Sequence, residues 1–85
     1  MPKMTVNKEV LLTLLKCTKT GPASRQSVIK ISRAPFQIAE NALAEFSQMQ
    51  LFKEYGDVVE ATPSQRIEIA IRALQLGADF QRVCS

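Results

Sequence analysis

The chain contains no histidine and only two cysteines, Cys17 and Cys84, which narrows its chemistry from the outset. Without histidine there is no Ser-His or Cys-His nucleophile pair, and the imidazoles of common metal shells are missing. Two thiols far apart in sequence frame neither a disulfide scaffold nor a zinc site. Both are expected as buried or partly buried thiols at apolar helix positions. No catalytic constellation is left, and neither a cofactor nor a metal is expected. Long apolar runs are missing too. Nothing approaches the roughly 18 residues of a membrane span, and Met1 to Thr5 lacks the apolar segment of a signal peptide. A cytoplasmic protein without membrane contact is the expectation.

At 85 residues, 46% of them hydrophobic and 22% charged, the chain has the composition of one ordered domain, near the smallest size that supports a core without staples. Its net charge of +3 is unevenly spread. Residues 1–33 carry seven Lys or Arg against Glu9 alone, giving +6. Residues 34–62 carry Lys53 against Glu40, Glu45, Glu54, Asp57 and Glu60, giving −4, and residues 63–85 add +1. Basic charge thus sits in the first half of the chain, from which a polyanion would be approached.

Asn7 is placed to cap a first helix, with Glu9 in its first turn and Val10, Leu11, Leu14 and Leu15 on one face. That helix is predicted from about Lys8 to Thr18, and Gly21-Pro22 ends it. Pro22 and Ala23 are expected to form a short extended piece able to join a sheet. Ser24 caps a second helix of about two turns that sends Val28 and Ile31 inward and keeps Arg25, Gln26 and Lys30 outside. A turn at Ser32-Arg33-Ala34 leads to a third helix from Pro35 to about Met49. Its inward stripe is Ile38, Ala39, Ala42, Leu43, Phe46 and Met49, with Phe36 packed beneath the turn. Leu51 to Glu54 and Val58 to Ala61 then read as two strands around a Tyr55-Gly56-Asp57 loop.

Thr62, Pro63 and Gln65 form a capping-box signature for a fourth helix that should end at Leu76, with Gly77 as its left-handed stop. Ile67, Ala70, Ile71 and Leu74 share one side of it and are expected in the core. Ile69, Ala73 and Leu76 lie nearly opposite. With Phe80, in a short helix opened by Asp79, they are expected to meet a partner, either a second copy or a downstream region of the same chain. A truncated chain is the first choice and a homodimer the second. Residues 1–62 thus read as a core and residues 63–85 as a helical extension.

The order helix, helix, helix, hairpin, together with Leu43-Ala44-Glu45-Phe46 followed by Leu51-Phe52, resembles the winged helix-turn-helix domains of prokaryotic and archaeal regulators over about Asn7 to Leu76. The Ile31-Ser32 step is similar to that family's turn between helices 2 and 3. Gln50 stands where the family usually has Gly. The tail, Arg66-Ile67-Glu68-Ile69-Ala70 through Leu76-Gly77-Ala78-Asp79, resembles the segment that precedes a restriction-endonuclease-like domain in archaeal multidomain proteins. The resemblance implies a mainly α fold with a small β-hairpin wing, a three-helix core and a C-terminal helix.

It also implies double-stranded DNA as partner, with helix 3 in the major groove and the wing on the backbone. Carried over by position, Gln37, Asn41 and Gln48 become candidate base readers, since amides pair with adenine. Arg25, Lys30 and Arg33 become phosphate contacts, with Lys53 and Tyr55 on the wing. Against this, Pro35 to Gln50 holds Glu40 and Glu45 and no Lys or Arg. Glu40 is expected to be solvated or paired with a neighbouring Arg. The alternative is a winged helix that serves as a protein interaction or assembly module without binding DNA.

Overall fold

The computed structural model describes residues 2–84 as helices α1 (Lys3–Cys17), α2 (Arg25–Ser32), α3 (Phe36–Gln48), α4 (Pro63–Gln75) and α5 (Phe80–Cys84) with strands β1 (Ala23–Ser24), β2 (Lys53–Tyr55) and β3 (Val58–Glu60). The protein is mainly helical, with one small antiparallel sheet ordered β1-β3-β2. Helix α1 is the hub and packs against the other four helices. No described helix is long and apolar enough to cross a membrane.

Helix α1 begins more than a turn before the expected cap. Pro2 occupies the N-cap position and accepts the Val6 amide at 3.1 Å, leaving Asn7 inside the helix. The reason is burial: Val6 is fully enclosed and extends the Val10–Leu14 line by one turn, which outweighs a local capping preference worth about 1 kcal/mol. Because α1 is surrounded, Leu12 and Thr13 are buried as well. The Thr13 hydroxyl donates to Glu9 O at 2.7 Å and that of Thr18 to Leu14 O at 2.6 Å, so neither is left unsatisfied.

Ser24 caps α2 as expected, accepting from the Ser27 amide at 3.4 Å. Val28 and Ile29 are buried, while Ile31 is 48% exposed. The expectation for Ile31 was wrong because a helix of two turns rolls to bury 28, 29 and 32, with the Ser32 hydroxyl satisfied by Ile29 O at 2.7 Å. In α3 the stripe Ala39, Ala42, Leu43 and Phe46 is buried as expected. Ile38 and Met49 lie at its exposed edges, and Phe36 faces solvent rather than packing beneath the turn.

Leu51 and Phe52 belong to no strand but are buried in the hydrophobic core. The hairpin loop is shorter than expected. Tyr55 pairs with Val58, leaving Gly56 at φ +62° and Asp57 as a two-residue loop. Ala23 pairs with Val59, so the extended piece between α1 and α2 does become a strand, without Pro22. The Arg25 amide donates to Asp57 O at 2.7 Å and ties the hairpin tip to the start of α2.

The capping box of α4 is complete: the Gln65 amide donates to Thr62 Oγ1 at 3.1 Å and the Thr62 amide to Gln65 Oε1 at 3.0 Å. Its two apolar stripes, however, are exchanged. Ile69 and Ala73, expected at a partner interface, are fully buried against α1, and Leu76 is partly packed on the same core. Ile67, Ile71 and Leu74, expected inside, are 62%, 44% and 37% exposed. The spacing of residues defines two faces but not their orientation, which packing against α1 decides; in the observed orientation the Arg66 guanidinium reaches α1. Its Nη1 donates to Leu15 O at 2.7 Å and to Thr18 Oγ1 at 2.8 Å, pinning one edge of α4 to the C-terminus of α1.

Candidate nucleic-acid interface

At roughly 100° per residue, Gln37, Asn41 and Gln48 fall within about 40° of one another on α3, diametrically opposite its buried Ala39, Leu43 and Phe46. All three amides are exposed. Gln37 Nε2 donates to Asn41 Oδ1 at 3.1 Å, which pre-orders two of them. Gln48 lies about 10 Å beyond Asn41 along the axis, two turns further on the same stripe. Carboxylates flank this amide stripe: Glu40 on one side and Glu45 on the other. Asn41 and Glu45 also line a cleft of about 320 Å³ shared with Lys3 and Asn7 of α1.

Arg25 does not sit free at the start of α2. Its Nε is 3.1 Å from Glu40 Oε1 and its Nη1 2.6 Å from Glu54 Oε1, with the side chain only 18% exposed. One guanidinium between two carboxylates gives this corner a net negative charge. The pairing expected for Glu40 is therefore present, and it withdraws Arg25 from the role of phosphate clamp. The chemistry of the triad is structural, since it joins α2, α3 and β2 through one side chain. A sequence scan could have anticipated an Arg–Glu pair but not the second carboxylate, which the hairpin delivers from a distant segment.

The remaining candidate cations lie on the elements next to α3 in the chain. Lys30 is exposed in the last turn of α2. Arg33 is exposed in the turn before α3 and holds a left-handed backbone at φ 60°, a conformation costly for a non-glycine residue. Lys53 is exposed in β2 opposite Glu60 of β3, and Tyr55 is exposed at the hairpin end. The chain matches no protein-family model, no curated protein and no solved structure. Its own residues carry the functional reading.

Among the described residues no group of three His, Cys, Asp or Glu is placed to hold a metal. Cys17 is half-buried on α1, and burial raises its thiol pKa above the ordinary value. Cys84 is exposed, contrary to the expectation of burial, because α5 covers too little surface to enclose it. Of the residues expected to meet a partner, Phe80 is the one left accessible, at 66% exposure. On α4 itself, Ile67, Ile71 and Leu74 form the exposed apolar face that Ile69 and Ala73 were expected to provide.

Proposed function

We propose that the protein is a winged helix module that binds double-stranded DNA in a sequence-directed way, as the recognition part of a transcription regulator or of a nuclease-like protein. The observation that carries this reading is the amide stripe Gln37, Asn41, Gln48 on α3, exposed and turned directly away from the core. Support also comes from the order α1-β1-α2-α3-β2-β3, in which β1 completes a three-stranded sheet with the hairpin. In this reading α3 enters the major groove, where Gln37 and Asn41 read adenine. Lys30, Arg33 and Lys53 contact phosphates, and Arg25 holds the hairpin and α3 at a fixed spacing.

Three phosphate contacts at a slope of roughly −0.9 each give a log affinity against log salt slope of about −3. A fluorescence titration of labelled duplex across salt concentrations measures it, and no binding at low salt ends the proposal. Arg33→Gly is the informative variant. Glycine relieves the left-handed backbone, so the fold is not weakened, and weaker binding to every duplex then reports the lost guanidinium. Asn41→Ala should instead reduce the preference for one sequence over another.

A second reading, an assembly module that pairs with another copy of itself, is favoured by the exposed Ile67, Ile71, Leu74 and Phe80. The neighbouring Glu68 and Arg72 lie 3.4 Å apart and offset each other's charge, so a like surface can approach without repulsion. The two readings are compatible, since α3 and α4 present separate faces.

A further inference from the structure

A cleft of about 500 Å³ opens between α1, α2 and α5 on a part of the surface that the DNA reading does not use. Leu12, Leu15 and Ile31 give it an apolar floor, and Lys16 and Lys19 stand on its rim. The far wall is the Glu9–Arg82 pair, a bidentate contact with nitrogen to oxygen distances of 3.0 and 2.8 Å. Its volume falls in the usual range for small-molecule sites.

Two features of this cleft are left unused by the packing of the fold. Ile31 is 48% exposed and lines the cleft beside Leu12 and Leu15, so its apolar surface is continuous with theirs. Lys16 and Lys19 have no ion pair among the described residues, while the only carboxylate lining the cleft is already engaged by Arg82. Lys16 does sit in the last turn of α1, where the helix dipole favours a cation, but that accounts for neither Lys19 nor Ile31. An apolar floor under two uncompensated ammonium groups complements a molecule with an apolar tail and an anionic head.

We propose that the cleft binds a small amphiphilic carboxylate, its hydrocarbon tail on Leu12, Leu15 and Ile31 and its anionic head between Lys16 and Lys19. The tail removes Ile31 from water, and the head supplies the counter-charge that the chain does not. Glu9 and Arg82, already paired with each other, close the opposite end and leave the two lysines as the unpaired charges lining the cleft among the described residues, which sets the orientation.

The test is an amide-shift titration of the full chain with octanoate, and with 1-octanol as its uncharged match. Octanoate should shift amides from Leu12 to Lys19, of Ile31 and of Arg82 saturably, at least about tenfold more tightly than octanol. The double variant Lys16→Gln/Lys19→Gln should weaken octanoate about tenfold and leave octanol unchanged. Ile31→Ser should weaken both. All three positions are exposed, so a retained spectrum confirms that the variants fold. Equal affinity for octanol and octanoate, no saturation below the micelle concentration, or an unaltered double variant would each overturn the proposal. So would a response of these amides to duplex DNA in place of octanoate.

Discussion

Gln50 closes α3 in a left-handed conformation, at φ 60°, with the Gln50 amide on Ser47 O at 3.0 Å and the Leu51 amide on Phe46 O at 3.1 Å. These two bonds are the helix-ending pattern that glycine normally serves, and a side chain there carries a steric cost. Gln50→Gly should therefore stabilise the fold by about 0.5–1 kcal/mol, read as a rise of roughly 2–8 °C in a thermal melt. A lower melting temperature would show that the Gln50 side chain makes a compensating contact. Arg66 poses the opposite case. Its guanidinium satisfies two acceptors at the end of α1 from a half-buried position, so Arg66→Ala should cost about 2 kcal/mol in denaturant unfolding. Arg66→Lys, with one compact ammonium, should fall between.

Helix α5 has fewer than two turns and no buried residue, so it depends on its attachments. Val83 packs partly on the core, the Gln81 amide donates to Asp79 Oδ1 at 2.8 Å, and Arg82 grips Glu9 of α1. Hydrogen bonding from Arg82 holds the Glu9 carboxyl below its ordinary pKa of 4.5. A carboxyl with a lowered folded pKa stabilises above the unfolded value and loses that contribution as pH falls through the folded one. Docking of α5 should thus be constant at pH values above 4.5 and weaken progressively as pH falls from there through the lowered folded pKa of Glu9. Amide exchange of Val83 and Cys84 across pH 3–7 reads this directly, and loosening of α5 on raising the pH instead would contradict it. High salt should reproduce part of the effect, since the pair is only partly shielded.

For the molecule as a whole, the open question raised by packing is the outer face of α4. A helix that buries Ile69 and Ala73 on one side and shows Ile67, Ile71 and Leu74 on the other has twice the apolar surface that one core requires. Ile71→Glu should leave folding stability within about 0.5 kcal/mol, because the position is on the surface. If copies associate through this face, sedimentation should show a concentration-dependent mass for the native chain and a constant monomer mass for the variant. A native chain that stays monomeric at the highest concentration would remove self-association from the proposed role. DNA affinity should be unchanged by Ile71→Glu at concentrations where the native chain is monomeric.

The helices and the hairpin were legible in the residues because each carries its own local instruction. Thr62-Pro63-Ser64-Gln65 specifies a helix start through bonds within four residues, and Gly56 permits the turn through its own backbone. The buried stripe of α3 was legible for the same reason, since it has only one apolar side. Packing decided what periodicity leaves open. Which stripe of α4 turns inward depends on its packing against α1, a contact that Arg66 makes from 48 and 51 positions away, and whether Arg25 meets phosphate depends on a carboxylate 29 positions distant. Local sequence fixes dihedral preferences and faces; only the assembled fold decides what each face and each charge meets, because those free energies belong to pairs of groups that the chain brings together last.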